Sequence, residues 1–497
     1  MIYLVTAKQE LFTSDLYKII SVEDSLSIMK EWKMIQCDTE TTGTFARIDK
    51  LLCAQFGNLD KTIQIVVDCS TIDIKNYKQI MESKYLLFQN GKFDLQFFYN
   101  HSIIPRKIYD TMIVEQLLHL GYPSGSISYS LKEIAWRRLG INLDKTIRGQ
   151  IIWRGLDTEV IKYAANDVVY LHDIMKSQIE DCKKQGCIVG AKLECDFVPV
   201  IAYLEWCGIK LDADKWKAKM KKDRENLEEA IKNLNDFVVR TPVLKQFTYV
   251  DRQGDLWGGF NLTPKVTINW SSSQQVVKVA KLLGFNTTVQ DKKTGEDKDS
   301  VLEKALAIQK GINDEFLRLY LGHGESGDDD YYAGYTGSAK VVTSFGQGHL
   351  NTICPVDGRS HTIYKQLGAA SGRMSCGSNQ PNETLAKANK VKPSECKYPN
   401  YQQLPHDAET RACFVAEKGN LMIDCDWSAA EARLAGDIYN DQAIKDIFLN
   451  NIDSHSMYAK IFFKEELKDV DVRDVKKQRP DLRQKAKGPE FKHKSYF

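Results

Sequence analysis

Short apolar runs and helical periodicities alternate through the first third of the chain. Runs of apolar and β-branched residues predict strands that are buried on both faces of a sheet. The predicted strands are Met34–Cys37, Leu51–Phe56, Thr62–Val67 and Tyr85–Phe88. Apolar positions at helical spacing predict helices over Ser130–Leu139 and Val160–Met175. Strands interleaved with helices indicate an α/β layer.

The pattern changes beyond about residue 190, where the chain becomes more helical and more charged. Lys215–Phe237 predicts a long charged helix, and Ser271–Leu283 predicts another helix. Between about residues 340 and 437, short strands and turns are predicted again. This sequence of patterns indicates several domains in succession.

Composition excludes several classes of protein but does not indicate a specific function. A chain of 497 residues is too long for one ordinary core, so we expect about two to four domains. The formal net charge of +2 does not exclude nucleic acid, because acidic patches can balance a basic groove. No apolar run is long enough to span a membrane, and no signal peptide is recognisable. The twelve cysteines lack C-x-x-C spacing, so we expect reduced thiols in a cytoplasmic protein and no typical zinc site.

Carboxylates follow the first predicted strand and recur at two later points. Asp38 and Glu40 are two residues apart directly after that strand, so both side chains point to one face. Asp94 follows the fourth predicted strand. Tyr163 and Asp167 are four residues apart in a predicted helix and share one helix face. Hard oxygen ligands of this kind can hold two divalent metal ions for phosphodiester hydrolysis.

These three motifs, in this order, resemble those of the DEDD-type 3′→5′ exonucleases, in the variant whose third motif contains a Tyr. The resemblance implies that Asp38, Glu40, Asp94 and Asp167 bind two Mg²⁺ or Mn²⁺ ions. It also implies that Tyr163 positions the attacking water. A single Asp-x-Glu pair is usually a solvated turn, but three motifs in order favour the exonuclease.

The same resemblance implies residues that contact the nucleotide at the 3′ end. Thr39 or Thr41 is expected beside this nucleotide, and Asn90 matches the second motif together with Asp94. We therefore expect Thr39, Thr41 and Asn90 to bind substrate.

A second set of motifs occupies the C-terminal half. Gly368–Cys376, Pro399–Pro405 and Leu421–Arg433 follow one another along the chain. They resemble the T-G-R-L-S-S, P-N-L-Q-N-I-P and D-Y-S-Q-I-E-L-R motifs of the family A DNA polymerases. The apolar run Leu421–Ile423 predicts a strand that delivers Asp426 to a sheet edge, where an Asp can bind Mg²⁺.

The resemblance implies a role for one residue of each main polymerase motif. Asp426 would be a catalytic metal ligand, and Glu431 would lie under the sugar and exclude a 2′-hydroxyl. Arg373 would reach the minor groove of the primer terminus, where correct base pairs present common acceptors.

Three later residues resemble the start of the family's motif B. Arg483, Lys487 and Phe491 occur at i, i+4 and i+8, so they form one stripe on a helix. Two cations can neutralise a triphosphate while a ring stacks on the base. A charge run with one Phe is usually a solvated face, but its position after the Asp426 motif favours nucleotide binding.

The resemblance implies a multidomain protein of the α/β plus α+β class. We expect an RNase H-like 3′→5′ exonuclease domain over 1–185 and a linker with a mainly helical thumb over 186–345. A partial palm with Asp426 would follow over 346–450, and the start of the fingers over 451–497. Glu383–Tyr398 interrupts the spacing of the family and is expected to be a surface loop.

The match to the family is expected to stop within motif B. In the family the second catalytic carboxylate lies in a later H-D-E element, and no His-Asp-Glu occurs in this sequence. An intron, an intein or a split gene would explain the interruption. We expect exonuclease activity from this chain alone, and polymerisation only if a second polypeptide supplies that carboxylate. Two metal ions are expected at the exonuclease site and two at a completed polymerase site.

The implied function is template-dependent DNA synthesis in replication, with proofreading, by a phage-like enzyme. The expected partners are primer–template DNA and dNTPs, in the cytoplasm of the host if a phage encodes the chain, and no membrane. The alternative is a stand-alone 3′→5′ exonuclease whose C-terminal half only grips DNA. The missing H-D-E element is the feature that discriminates between these two hypotheses.

Overall fold

The computed structural model describes residues 1–122, 125–144, 146–250, 264–291, 295–309, 311–322, 334–405 and 407–486. The chain divides into two compact units, Met1–Lys418 and Gly419–Phe497. Of the predicted motif B stripe, Lys487 and Phe491 lie outside the described residues. Within these ranges we find no helix with the length and apolar character needed to cross a membrane.

A seven-stranded mixed sheet lies in the first unit. Its strands are β1 (Ile2–Val5), β2 (Tyr17–Ile19), β3 (Met34–Thr41), β4 (Leu51–Gly57), β5 (Gln64–Asp68), β6 (Tyr85–Phe88) and β7 (Ile108–Asp110). Their spatial order is β2-β1-β5-β4-β3-β6-β7, with β4 antiparallel to both neighbours and all other pairs parallel. The α/β expectation is confirmed, and β3 continues beyond Cys37, so the acids at 38 and 40 lie on the strand itself.

Helices cover both faces of this sheet. They are α1 (Val22–Lys30), α2 (Lys78–Ser83), α3 (Gly91–Asn100), α4 (Thr111–Leu118), α5 (Leu131–Leu139), α6 (Ile151–Arg154), α7 (Thr158–Asp167), α8 (Leu171–Lys184) and α9 (Ile188–Cys207). On one face α1, α2, α3 and α9 bury apolar side chains against Ile35 and Cys37 of β3. On the other face α7 packs on Cys53 and Val66. The sheet therefore carries an apolar core on each side, which fixes β3 from both faces.

One predicted helix is in fact two. The periodicity over Val160–Met175 is divided between α7 and α8, which are separated by residues 168–170. Val168 is fully buried, and its carbonyl oxygen lies over Gly57, 2.8 Å from where a Cβ would stand. Helix α7 ends at Asp167, and Val168, which makes this contact, is its C-cap residue.

A helical part follows the sheet. It contains α10 (Ala213–Arg240), α11 (Ser273–Leu282), α12 (Glu303–Leu306), α13 (Asp314–Leu321), α14 (Tyr335–Ser344) and α15 (Gln347–Leu350), with strand pairs β8 (Thr248–Val250)–β9 (Pro264–Val266) and β10 (Thr288–Gln290)–β11 (Asp297–Asp299). Helix α10 buries Leu234, Phe237 and Val238 in a core that includes Phe316 of α13. The predicted helix Lys215–Phe237 lies within α10.

The rest of the first unit consists of short elements. They are β12 (Tyr364–Lys365), β13 (Ser375–Cys376), β14 (Ser378–Pro381), α16 (Glu383–Ala388), β15 (Lys397–Tyr398) and α17 (Ala408–Ala412). The expectation that Glu383–Tyr398 is a surface loop is wrong. Asn382 caps α16 by accepting a hydrogen bond from the backbone N–H of Leu385, at 3.0 Å, and Leu385 is fully buried against Phe45. The segment folds because its apolar side chains have a core to enter.

The second unit is helical among its described residues. Its helices are α18 (Ala430–Ile438), α19 (Gln442–Leu449), α20 (Ser454–Phe462) and α21 (Val475–Gln478), and residues 480–486 are also helical. The strand predicted at Leu421–Ile423 is wrong, because residues 420–427 have no regular structure. A strand needs a neighbour for its backbone hydrogen bonds. No described residue pairs with this segment, and the side chains of Leu421 and Ile423 are 90% and 82% exposed.

Candidate active sites

The first site begins with alternating side chains on the central strand β3. Asp38 and Glu40 share one face of the sheet because they are two residues apart on the strand. In the antiparallel pair of β3 with β4, Asp38 lies opposite Gln55. The side-chain amide of Gln55 donates a hydrogen bond of 2.7 Å to Asp38 Oδ2, and Gln55 is itself fully buried. This contact fixes the orientation of the Asp38 carboxylate.

Helix α7 brings a third carboxylate to the same place. Carboxylate oxygens of Asp38, Glu40 and Asp167 all lie within 4.8 Å of one another. The start of α7 is fixed by Asp157, whose carboxylate accepts a hydrogen bond of 2.8 Å from the backbone N–H of Val160. Tyr163 lies about one turn before Asp167 and is 6% exposed. Residues that are distant in sequence therefore form one acidic cluster.

Asp94 joins this site from the opposite side of β3. It lies in the first turn of α3 and not at a strand end, as the sequence had suggested. Thr39, which points away from Asp38, donates a hydrogen bond of 2.6 Å from its hydroxyl to Asp94 Oδ1. Burial, and next the negative charge of Asp38, raise the pKa of Asp94 well above its ordinary value, against the effect of the Thr39 hydrogen bond. Two carboxylates thus repel each other in a buried environment.

Asp110, which the sequence did not single out, positions Asp94. Its carboxylate accepts hydrogen bonds from the backbone N–H groups of Asn90, at 3.1 Å, and Gly91, at 2.7 Å. These two residues form the turn into α3, where Asn90 has a positive φ of 63°. Asp110 also caps α4, and it is completely buried. Its place before an apolar run identifies the cap, but nothing in the sequence indicates its reach to residue 90.

The predicted substrate residues surround this site with different roles. Thr39 is 5% exposed, and its hydroxyl donates its hydrogen bond to Asp94. The Thr41 hydroxyl donates a hydrogen bond of 2.7 Å to the carbonyl oxygen of Gly43. Asn90 forms the turn described above. Contact of these three residues with a nucleotide stays a prediction.

The donor set of the cluster suits a divalent cation. Asp38, Glu40 and Asp167 offer hard, negatively charged oxygens, which are the ligands that Mg²⁺ and Mn²⁺ prefer. Burial, and next the charge of Asp38, raise the pKa of Asp94 and so disfavour its charged form. A cation between these groups would offset both the mutual repulsion and the burial of the carboxylates.

Arg373 lies in the turn between β12 and β13. The backbone N–H of Ala369 donates a hydrogen bond of 3.0 Å to the carbonyl oxygen of Arg373, and that of Gly372 donates one of 2.9 Å to Ala369. Gly372 has a positive φ of 80°, which glycine adopts without strain. The turn therefore has a defined backbone shape at the residue that we expect to contact the primer terminus.

The second unit contains a cleft of about 740 Å³ at the residues of the later motifs. Asp426, Glu431, His455 and Arg483 all line it. Asp426 lies in the exposed segment 420–427 and Glu431 in the first turn of α18. The structure thus brings together Asp426, Glu431 and Arg483, although Asp426 and Arg483 lie more than fifty residues apart in sequence.

The guanidinium of Arg483 is held by a neighbouring carboxylate. Its Nε and Nη2 donate hydrogen bonds of 2.7 and 2.8 Å to the two carboxylate oxygens of Asp453. Asp453 also caps α20 by accepting from the backbone N–H of Ser456 at 2.8 Å. A planar, two-bonded pair of this kind fixes the direction of the Arg side chain. In this structure Arg483 therefore lines the cleft as part of an ion pair.

Two family models match the chain. The model described as 3′-5′ exonuclease matches residues 17–179, and the model described as DNA polymerase family A matches residues 265–492. The first match contains the cluster of Asp38, Glu40 and Asp167 together with Asp94. The second contains Arg373, Asp426, Glu431 and the motif B residues.

Curated relatives resemble the chain over most of its length. DNA polymerase I of Aquifex aeolicus (strain VF5) is 26% identical over 449 residues, which are 85% of this chain and 63% of that protein. The DNA polymerase of Mycobacterium phage L5 is 22% identical over 459 residues, which are 85% of this chain and 64% of that protein. The chain thus spans less than two thirds of the length of these relatives.

A solved structure shares the fold. The POL domain of Pol1 from M. smegmatis, in complex with DNA primer-template and dNTP, matches with a TM-score of 0.64 at 16% identity. The match covers 95% of this chain and 69% of that one. At this identity the likeness concerns the fold alone, and it agrees with the expected α/β plus α+β class. Because the polymerase match extends over 265–492, a stand-alone exonuclease is not favoured.

Proposed function

Because the chain belongs to DNA polymerase family A and carries a 3′-5′ exonuclease domain, we propose that its first unit removes nucleotides from the 3′ end of a primer strand. One observation carries this proposal. Asp38, Glu40 and Asp167, from a strand and a distant helix, converge within 4.8 Å, and Asp94 is buried beside them. The substrate would be the primer strand of primer–template DNA.

The carboxylates would hold two divalent ions, which we propose to be Mg²⁺ or Mn²⁺. Asp38, Glu40 and Asp167 would hold one ion, and Asp94 would share the second with Asp38. When bound, such ions polarise the phosphodiester and lower the pKa of a bound water. Gln55 keeps the Asp38 carboxylate in place through its amide, and Thr39 keeps that of Asp94 in place through its hydroxyl.

Other residues of the first unit would handle the water and the nucleotide. The Tyr163 side chain is held in an apolar cluster with Ile151 and Val160, so its ring has a fixed direction. We propose that its hydroxyl orients the attacking water by hydrogen bonding. Thr41 and Asn90 would contact the terminal nucleotide at the edge of the site.

We propose that the second unit binds a dNTP. The observation that favours this is the cleft of about 740 Å³ at which Asp426, Glu431 and Arg483 meet. Asp426 would bind the metal of the dNTP, Glu431 would exclude a 2′-hydroxyl, and Arg483 would meet the triphosphate. Lys487 and Phe491 would complete the stripe, and Arg373 of the first unit would contact the primer terminus in the minor groove.

We further propose that polymerisation needs a second catalytic carboxylate, of the H-D-E type, and two metal ions at the completed site. The division into an exonuclease domain over 1–185, a thumb over 186–345, a palm over 346–450 and fingers from 451 belongs to the same proposal. The reaction would take place in the cytoplasm, that of the host if a phage encodes the chain.

The test is a 5′-labelled primer annealed to a longer template, with Mg²⁺ and with or without dNTPs. We expect the primer to shorten, and Asp38→Asn to abolish the shortening. Asp60→Asn is the matched control, because Asp60 is fully exposed in a turn of the same sheet. Shortening that survives Asp38→Asn at the wild-type rate would refute the exonuclease proposal. Extension by this chain would refute the need for a carboxylate of the H-D-E type.

A further inference from the structure

Three potential metal ligands lie together in the first unit, in a cluster separate from the four catalytic acids. A thiol sulfur from Cys354, a carboxylate oxygen from Asp357 and a ring nitrogen from His361 all lie within 4.8 Å of one another. Cys354 is completely buried and His361 is 1% exposed, whereas the Asp357 side chain is 16% exposed. Their chemistry of sulfur, oxygen and nitrogen differs from that of the acidic cluster.

The hydrogen bonds of His361 leave a lone pair facing a carboxylate. Its Nδ1 lies 2.8 Å from the backbone carbonyl oxygen of Glu205. A carbonyl oxygen can only accept, so Nδ1 carries the proton of the neutral ring. Nε2 then has a lone pair, and it faces Asp357 Oδ2 at 3.1 Å and Oδ1 at 3.3 Å. Either a proton on Nε2 or a metal ion would join these two groups, and Arg47 lies beside the same carboxylate as a cation.

The groups around the three ligands fix their orientation. Arg47 forms an ion pair with Asp357, with 3.0 Å between Nε and Oδ2, and its guanidinium lies 3.8 Å over the ring of Trp206. The N–H at Nε donates a hydrogen bond of 2.9 Å to the backbone carbonyl oxygen of Trp206. Asp357 Oδ1 accepts a hydrogen bond of 3.0 Å from the backbone N–H of Arg359. The carbonyl oxygen of Glu205 orients the ring of His361 in the same way. Metal-binding His and Asp side chains usually have such outer hydrogen bonds.

The backbone brings the ligands together without a metal. The N–H of Cys354 donates a hydrogen bond of 2.8 Å to the carbonyl oxygen of Arg359, and that of Gly358 donates one of 2.8 Å back to Cys354. Gly358 has a positive φ of 67°, which closes the turn. The ring of Phe45 covers His361 edge-on, with 5.3 Å between the ring centres. The site is therefore preformed and mostly shielded from water.

We propose that Cys354, Asp357 and His361 bind a transition-metal ion, for which zinc(II) is the best fit. Zinc accepts thiolate, imidazole and carboxylate ligands together, whereas Mg²⁺ takes oxygen ligands. Binding converts the Cys354 thiol to a thiolate and releases one proton to solvent, and the Nε2 lone pair of His361 completes its bond to the metal. The C-x-x-D-x-x-x-H spacing has no C-x-x-C pair, so cysteine spacing alone does not reveal it.

The metal would join two parts of the first unit. Asp357 bonds both to the metal and to Arg47, which lies in the segment between β3 and β4. This segment follows directly after Glu40 and Thr41. We assign the ion a structural role, in which it links residues 354–361 to the segment behind the acidic cluster.

The test uses cobalt(II) as a spectroscopic probe on the full chain after treatment with a chelator. A bound thiolate gives Co²⁺ an intense charge-transfer band in the near ultraviolet, which carboxylate ligands do not give. We expect one equivalent of Co²⁺ to produce this band in Asp38→Asn, a variant that weakens the acidic cluster as a competing site. One equivalent of Zn²⁺ should then remove the band.

Variants assign the band to individual ligands. Cys354→Ser should abolish it and His361→Gln should weaken Co²⁺ binding at least tenfold, whereas Cys413→Ser, at another buried thiol, should leave it unchanged. The spectrum of the parent chain decides the question even if a variant fails to fold. Absence of the band in the parent, or its persistence in Cys354→Ser, overturns the proposal. A doubly protonated His361 would then be the partner of Asp357.

Discussion

The two acidic sites differ in how the chain holds their carboxylates. In the first unit Asp38 lies in the interior of a seven-stranded sheet and accepts a hydrogen bond from buried Gln55, and Asp94 is 2% exposed. In the second unit Asp426 lies in a segment without regular structure, next to Trp427, which is 85% exposed. The same residue type thus has a fixed direction in one site and an exposed, irregular setting in the other.

This difference indicates what each site needs before it can act. A catalytic side chain is effective when neighbouring groups hold it in position before the substrate binds. The first site has these neighbours within its own sheet and helices. Among the described residues, the segment 420–427 has no pairing strand, so Asp426 lacks this support there.

Amide hydrogen exchange should give the largest difference between the two regions. Strand β3 pairs with β4 from Gln36 to Thr41 and with β6 from Met34 to Gln36, so we expect its paired amides to exchange only on global unfolding. Those of residues 421–427 should exchange almost freely. We expect rates that differ by roughly 10⁴-fold or more. Equal protection in the two segments, measured by mass spectrometry of peptic peptides, would contradict the comparison.

Matched substitutions of the two Asp residues should separate the sites by activity. Asp38→Asn removes a charge that we propose holds the metal ions, and we expect a loss of exonuclease rate of about 10³-fold or more. Asp426→Asn should leave that rate unchanged, because Asp426 belongs to the other unit. The measurement is single-turnover shortening of a labelled primer. A similar loss in both variants would show that the sites do not act separately.

The core around Phe45 should give a smaller, structural effect. Phe45 is 7% exposed and packs against Leu385, Ala386 and Cys396, in the segment that interrupts the family's spacing. Phe45→Ala should lower the free energy of unfolding by about 3 kcal/mol. Leu11→Ala is the control, because Leu11 is 67% exposed and should change stability by less than about 0.5 kcal/mol. Denaturant unfolding measures both, and an effect of Phe45→Ala as small as the control would mean that this segment is a loop after all.

Elements that depend on local interactions were predicted more accurately than elements that depend on contacts with distant residues. Strands β3 to β6 and most of α10 were predicted because local patterns determine them, whereas β1, β2 and β7 were not predicted. The strand at Leu421–Ile423 was predicted wrongly, because an apolar run forms a strand only where another strand is available. The segment Glu383–Tyr398 was predicted to be a surface loop but folds against a core. Its partner in that core, Phe45, lies more than three hundred residues earlier.

The same reasoning applies to the candidate sites. Motifs identified Asp38, Glu40 and Asp167, whose convergence within 4.8 Å depends on the sheet and α7. Nothing local indicates that Asp110 holds the turn before α3, because this contact spans nineteen or twenty residues of sequence. Outer contacts of this kind are set by tertiary packing, and a pattern in one sequence does not contain them.

The ion pair in the second unit should give the smallest effect. Arg483 and Asp453 form two hydrogen bonds, and their side chains are 17% and 32% exposed. Because this pair is partly solvated, we expect a coupling free energy of about 1 kcal/mol. A double-mutant cycle with Arg483→Met and Asp453→Asn isolates the coupling. Any change in the helix cap at Ser456 cancels, because it occurs both in the single variant Asp453→Asn and in the double variant. Thermal unfolding at neutral pH measures it.

The pH dependence of this coupling decides whether the cleft is preorganised by charge. Burial alone would raise the pKa of Asp453, but the hydrogen bonds from Arg483 and Ser456 outweigh it and hold the pKa well below its ordinary value. A carboxyl with a lowered pKa in the folded state stabilises fully above its unfolded pKa of about 4 and loses this contribution as the pH falls further. The coupling should therefore be constant from about pH 8 to pH 5 and decline below about pH 4. A coupling that is zero at neutral pH would mean that solvent separates the pair, and Arg483 would then be as poorly fixed as Asp426.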